Sequence, residues 1–135
     1  MAVRFLLDTN ICIYIRRQRP PGVLARFQQL KHGEAVLSVI TYGELVYGAE
    51  KSQSRQQASR LLAELAGLLP VMALPSHAGQ CYGAIRAALE AKGEMVGNND
   101  LWIAAHAKAA ELILVTNNER EFRRVPGLKI QNWAG

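Results

Sequence analysis

The stretch that decides the fold is residues 3–10, which read Val-Arg-Phe-Leu-Leu-Asp-Thr-Asn. Its first five residues form a short apolar run, which predicts a buried strand. Asp8, Thr9 and Asn10 are residues that favour the start of a helix. The chain therefore passes directly from a strand into a helix, which is the repeating unit of a parallel sheet.

The same alternation continues to the end of the chain. Short apolar runs predict strands at residues 3–7, 35–38, 71–74, 112–115 and 128–130. Helical patterns between them predict helices at residues 11–17, 23–31 (closed by Gly33), 53–69, 77–92 and 98–110, one helix capped by Thr41, and a short turn capped by Asn117 and Asn118. Strands that alternate with helices predict an α/β fold, in which a parallel sheet has helices on both faces.

The bulk composition is that of a globular protein and excludes a disordered chain. A length of 135 residues, half of them hydrophobic, fits one globular domain spanning residues 1–135. The net charge of +5 favours an anionic partner such as nucleic acid. Cys12 and Cys81 stand far apart without a metal-binding spacing, so we expect reduced thiols. The sequence shows no basic and apolar leader and no apolar run of membrane-spanning length, and we expect a soluble, cytoplasmic protein.

Acidic side chains follow the predicted strands. Asp8 ends the first strand, and Glu44 is expected in the first turn of the helix after the second strand. Asp100 opens a helix, and Glu119 and Glu121 follow the fourth strand. Ligands of parallel sheets gather beyond the carboxyl ends of the strands, so these acids are expected to converge. Clustered carboxylates repel one another, and Mg²⁺ or Mn²⁺ relieves that repulsion through hard oxygen ligands. Such an ion lowers the pKa of water and stabilises charge on the leaving oxygen of a phosphodiester.

A purely structural interpretation stays open for each acid. Thr41 and Glu44 have the spacing of a capping box, and Asp8 is a good N-cap residue. Asp100 and Glu121 would also complement the dipoles of the helices that they open. Spacing alone therefore predicts a possible metal site without deciding between the two interpretations.

Other catalytic arrangements find less support. His32, His77 and His106 are scattered, and neither a Gly-rich phosphate loop nor a Ser-His-Asp or Cys-His arrangement is present. Another α/β phosphoryl-transfer hydrolase, such as a haloacid-dehalogenase-like phosphatase, would need a second aspartate two residues after Asp8, where the chain has Asn10. A receiver domain would need paired acids near the end of the first strand, and no such pair is present.

Several blocks of the sequence resemble the PIN-domain nucleases, and in particular the VapC toxins of bacterial toxin–antitoxin systems. The resemblance rests on residues 5–11 (Phe-Leu-Leu-Asp-Thr-Asn-Ile), 38–45 (Ser-Val-Ile-Thr-Tyr-Gly-Glu-Leu), 97–107 (Gly-Asn-Asn-Asp-Leu-Trp-Ile-Ala-Ala-His-Ala), 114–118 (Leu-Val-Thr-Asn-Asn) and 121–128 (Glu-Phe-Arg-Arg-Val-Pro-Gly-Leu). These blocks run nearly from end to end in the family's order. The first and third are specific, and the block containing the glutamate is weaker on its own.

The resemblance implies a three-layer α/β/α sandwich and an Mg²⁺- or Mn²⁺-dependent endoribonuclease. Asp8 and Asp100 would bind the metal most directly, and Glu44 would bind or orient through water. The polar residues near the metal or the scissile phosphate would be Thr9, Asn10, Thr116 and Asn118. Members are inhibited by a VapB-type antitoxin, which also carries the pair to operator DNA, and a homodimer is usual. Their substrates are tRNA or ribosomal RNA.

The fourth acid departs from the family pattern. Many members have an aspartate where this chain has Asn118. Glu121 would be the N3 residue of a turn that starts at Asn118, with its side chain directed back toward the strand end, whereas Glu119 would be N1. We therefore predict Glu121 as the fourth, water-mediated acid, although it could simply complete a capping box with Asn118.

A non-catalytic PIN domain that only binds RNA is the main alternative function, although at least three of the acids stand in place. Two arginine clusters could flank an RNA path or simply face solvent, and they comprise Arg16, Arg17 and Arg19, and Arg120, Arg123 and Arg124.

Overall fold

The computed structural model describes residues 2–135 and confirms the alternation of strands and helices. The strands are β1 (Phe5–Leu7), β2 (Ala35–Ser38), β3 (Val71–Met72), β4 (Ile113–Val115) and β5 (Ile130–Gln131). The helices are α1 (Thr9–Arg17), α2 (Pro21–Gln28), α3 (Val39–Glu50), α4 (Arg55–Leu68), α5 (Ala78–Lys92), α6 (Asn98–Ala109) and α7 (Glu119–Phe122). None of the helices in residues 2–135 is long and apolar enough to cross a membrane.

The five strands form one parallel sheet in the order β3-β2-β1-β4-β5. The first strand of the chain therefore lies at the centre, and all three of its residues are buried. Successive side chains of a strand point to opposite faces. Phe5 and Leu7 accordingly pack into one core with α1 to α4, and Leu6 packs into a second core with α5, α6 and α7. The predicted sandwich, with helices on both faces of a parallel sheet, is confirmed.

The prediction for the start of α3 was wrong. The helix begins at Val39, directly after β2, and Ser38 is its N-cap, with Oγ accepting a hydrogen bond from the backbone N–H of Ile40 at 3.1 Å. Thr41 lies inside the helix and is fully buried. Both Ser38 and Thr41 can cap a helix, and the capping residue is Ser38, the last residue of the buried strand. Glu44 is therefore the sixth helical residue, so the predicted capping box with Thr41 does not form.

Other boundaries shifted by smaller amounts. Helix α2 begins at Pro21, an N1 position that suits proline, and it ends at Gln28. Gly33 does not close this helix, because it lies in the turn before β2 with a φ of +92°. Strand β5 is formed by residues 130–131 rather than 128–130.

Candidate active site

The carboxyl ends of the three central strands lie side by side. Leu7 is in register with Leu37 of β2 and with Val115 of β4. The residue that directly follows each of these three in the chain is polar and buried. These residues are Asp8, Ser38 and Thr116. The parallel register therefore gathers polar groups from distant parts of the chain at one edge of the sheet, where such folds bind ligands.

Asp8 lies at the centre of this edge and is 6 % exposed. Its Oδ1 accepts a hydrogen bond from the N–H of Ile11 at 3.0 Å, and its Oδ2 accepts one from the hydroxyl of Thr116. Asp8 is therefore the N-cap of α1 as well as an acid of the cluster. Burial raises the pKa of Asp8 and the charge of Glu44 raises it further, while the hydrogen bonds from Thr116 and Ile11 oppose this rise.

Helix α3 brings Glu44 to the same site. Its Oε1 accepts a hydrogen bond from the hydroxyl of Thr9 at 2.8 Å, and Thr9 is the first residue of α1. Glu44 is close enough to Asp8 and Asp100 for its charge to raise the pKa of both. Thr9, which binds Glu44, directly follows Asp8 in the chain. The start of α1 therefore brings Asp8 and Glu44 together.

Asp100 completes the cluster together with Glu121. Burial and a hydrogen-bonding contact with the charged Glu121 raise the pKa of Asp100 to about 7, and the charges of Glu44 and Asp8 add to the effect. Glu121 itself accepts hydrogen bonds from the backbone N–H of Gly97 at 3.2 Å and from the side chain of Asn118. The bond from Gly97, the N-cap of α6, holds Glu121 beside the start of that helix, where Asp100 is the third helical residue.

The two candidates for the fourth acid have different surroundings. Glu119 forms an ion pair with Arg123 at 3.2 Å and accepts a hydrogen bond from the side chain of Asn132. Glu121 contacts Asp100 instead. The side chain of Asn118 makes no hydrogen bond to the backbone of α7, so Glu121 does not serve a capping box there.

Supporting polar residues connect the acids to the rest of the edge. The hydroxyl of Thr116 also accepts a hydrogen bond from the N–H of Asn118 at 2.9 Å. Asn10 is exposed and its side chain donates to that of Asn117 at 3.5 Å. Asn117 in turn donates to the Tyr14 hydroxyl at 2.8 Å. Asn117 and Tyr14 were not predicted to lie at this edge, and the only signal was the position of Asn117 two residues after the end of β4.

A second unpredicted contact lies beneath the acids. His106 is fully buried in α6, and its Nδ1 makes a 2.8 Å hydrogen bond with Oγ of Ser38. This bond joins α6, which carries Asp100, to the first residue before α3, which carries Glu44. In the sequence, His106 lies in the middle of a helix among alanines, and this position gave no indication that it would contact Ser38.

The donor set suits a hard divalent cation. Asp8, Glu44, Asp100 and Glu121 supply only carboxylate oxygens, and among residues 2–135 none of them has a Lys, Arg or His nitrogen within ion-pair distance. No three of the described His, Cys, Asp and Glu side chains form a ready metal-binding group. Repulsion among the acids helps to raise the pKa of Asp8 and Asp100, and a cation bound between them would relieve it.

The sequence profile of the PIN domain matches residues 5–128. The chain belongs to the PIN-domain family. Within that family its similarity to the VapC ribonucleases covers nearly the whole chain. It is 42% identical over 133 residues to "Ribonuclease VapC2" of Haemophilus influenzae, covering 98% of this chain and 99% of the relative. It is 41% identical to the "tRNA(fMet)-specific endonuclease VapC" of Shigella flexneri, with the same coverage of both chains.

Chains in solved structures of VapBC complexes have the same fold as this PIN domain. The DNA-bound VapBC of Salmonella typhimurium aligns with a TM-score of 0.92 at 39% identity, covering 98% of this chain and 99% of that one. VapBC2 of Rickettsia felis, bound to a DNA fragment from its promoter, aligns with a TM-score of 0.91 at 37% identity, covering 97% and 99%. The resemblance to the VapC group inferred from the sequence blocks is confirmed.

Proposed function

We propose that this PIN domain is the toxin of a type II toxin–antitoxin module, a metal-dependent endoribonuclease that cleaves RNA with Mg²⁺ or Mn²⁺. The observation that carries the proposal is the set of four carboxylates at one sheet edge with no cationic partner among residues 2–135. A bound divalent ion would supply Lewis-acid charge for attack of water on the phosphodiester. The membership of the VapC group makes RNA the substrate class.

In this proposal Asp8 and Asp100 hold the metal and Glu44 binds or orients it through water. Glu121 is the outer acid, which lies beside Asp100 and contributes to the metal site through water. Thr9 fixes Glu44 through its hydroxyl, as Thr116 fixes Asp8. Asn10 and Asn118 are polar groups available near the scissile phosphate.

The proposed partners are an RNA substrate, a VapB-type antitoxin and a second copy of the chain. A tRNA is the first substrate to test, because a relative with 41% identity carries the name of a tRNA(fMet)-specific endonuclease. Operator DNA would be bound through the antitoxin, as the DNA-bound complexes of the relatives suggest. The enzyme would act in the cytoplasm, where its RNA substrates are.

Cleavage assays with purified protein test the proposal. Wild type should cut RNA with Mg²⁺ or Mn²⁺ and lose activity with a chelator. Asp8→Asn and Asp100→Asn remove a charge and a ligand while keeping the side-chain shape, so both should fold and be inactive. A folded Asp100→Asn protein that cuts RNA at the wild-type rate would refute the metal site. A wild type that binds RNA but never cuts it would favour the non-catalytic alternative.

The inhibitor offers a second test of the same site. A partner can neutralise the acids with a guanidinium group, which forms bidentate bonds to carboxylates. We expect the antitoxin to place an Arg or Lys side chain near Asp8 and Asp100. A complex in which no antitoxin cation approaches these acids would show that inhibition works in another way.

A further inference from the structure

A cleft of 740 Å³ opens next to the acidic edge of the sheet. Its wall includes Asn117, which directly follows Thr116, the residue that donates to Asp8. Since consecutive Cα atoms are about 3.8 Å apart, the cleft begins one residue away from Thr116, which contacts Asp8 directly. Its volume falls within the range of ligand-binding sites in proteins.

Two positively charged side chains line this cleft. Arg17 and Arg19 are both exposed, and neither has a carboxylate within ion-pair distance among residues 2–135. Four other arginines of the described chain do have such a carboxylate, namely Arg4, Arg55, Arg86 and Arg123. Guanidinium groups bind phosphate in a bidentate geometry, so the pair favours a phosphodiester backbone.

The cleft is also lined by the neutral hydrogen-bonding side chains of Tyr14 and Asn117. The side chain of Asn117 donates a hydrogen bond to the Tyr14 hydroxyl at 2.8 Å and accepts one from Asn10 at 3.5 Å. These bonds hold Asn117 and Tyr14 in place. The Tyr14 hydroxyl accepts that bond and keeps its own proton to donate. Such fixed neutral groups suit the sugar or the exposed base edge of an unpaired nucleotide.

We propose that this cleft binds the nucleotides next to the cleaved bond of a single-stranded RNA segment. Arg17 and Arg19 bind the phosphates, and Tyr14 and Asn117 contact the sugar or base. The inference deepens and rests on the proposed function, which puts the chemistry at the neighbouring acids. An antitoxin segment carrying basic residues fits less well, because the two guanidinium groups would repel it.

RNA binding measured by fluorescence anisotropy tests the cleft directly. The probe is a labelled single-stranded RNA, and all variants carry Asp100→Asn so that the RNA stays intact. Arg17→Gln and Arg19→Gln should each weaken binding about tenfold, as expected for a charge-assisted contact. Each should also reduce the slope of log affinity against log salt by about 0.7, the value for one phosphate contact on a single strand. Arg60→Gln is the matched control, since Arg60 is exposed on α4 and loses the same charge away from the cleft.

Two further variants and readouts separate the contributions. Tyr14→Phe should weaken binding less and leave the salt slope unchanged, because it removes one neutral hydroxyl, the acceptor of the Asn117 bond, and no charge. In proteins that retain Asp100, Arg17→Gln and Arg19→Gln should raise KM for RNA cleavage with little change in kcat. The anisotropy measurements remain interpretable if no protein cuts RNA, since they report RNA binding and do not depend on cleavage.

Three results would contradict the proposal that this cleft binds RNA. Equal losses for Arg17→Gln, Arg19→Gln and Arg60→Gln would show a general effect of net charge and would overturn the cleft as an RNA site. Unchanged RNA affinity would do the same. Weakened antitoxin binding with unchanged RNA binding would assign the cleft to the inhibitor instead.

Discussion

Replacing Asp100 with Asn should stabilise the metal-free protein while abolishing its response to metal. The folded-state pKa of Asp100 is raised from 3.8 to about 7, mainly by burial and by Glu121. The folded protein therefore binds more protons than the unfolded chain between these values, and its free energy of unfolding falls as pH rises through this window. Asn carries no charge at any pH, so Asp100→Asn removes this loss.

The magnitude follows from the width of the window. Each pH unit is worth about 1.4 kcal/mol, which gives a ceiling of about 4 kcal/mol for the whole window. Asp100 is only partly buried and water screens its charge, so we expect about 2 kcal/mol. For a chain of this length that corresponds to an increase of about 5–10 °C in Tm at about pH 8 and almost none at about pH 4.

Thermal and urea unfolding in a chelator measure this difference. Mg²⁺ should then raise the Tm of wild type, because an ion that binds only the folded state stabilises it, but not that of Asp100→Asn. Glu64→Gln, an exposed acid on α4, is the control and should show no such pH dependence. A gain for Asp100→Asn that is the same at both pH values would refute the account of charge repulsion.

Three further predictions concern single side chains. Glu121→Gln should weaken Mn²⁺ binding in a calorimetric titration and raise the metal requirement of cleavage, whereas Glu119→Gln should do little, and the reverse order would mean that the fourth acid is misassigned. Thr116→Val should shift the acid limb of the cleavage pH profile upward, because its hydroxyl lowers the pKa of Asp8, and Thr116→Ser should restore the wild-type profile. His106→Gln should lose about 1–2 kcal/mol of stability with the buried hydrogen bond. Burial lowers the pKa of His106 below 6.5, so the stability advantage of wild type over this variant should shrink as pH falls below 6.5; a constant difference in urea unfolding would contradict this.

The sequence predicted the layers of the fold because each strand is a short apolar run with its own helix signal. It was less accurate at junctions where two residues could play the same role. Ser38 and Thr41 are both good caps, and only the buried end of β2 selects Ser38. The position of Glu44 within α3 depended on that choice.

The acidic edge was predictable because the carboxyl ends of parallel strands always meet. Asp8 and Thr116 each follow a strand, and the register of β1 with β4 makes them neighbours. Contacts between side chains far apart in sequence left no local pattern. The bond between His106 and Ser38 spans 68 residues, and the bond between Glu121 and the N–H of Gly97 spans 24.

Mapping of RNA ends after a brief pulse of expression in a bacterial host tests the central claim most directly. Wild-type protein should produce new RNA ends at a defined site of one or a few RNAs, and a tRNA is the first place to look. Asp8→Asn, expressed at the same level and folded, should produce none of these ends. The same new ends in cells expressing Asp8→Asn would contradict a nuclease that works through this carboxylate cluster.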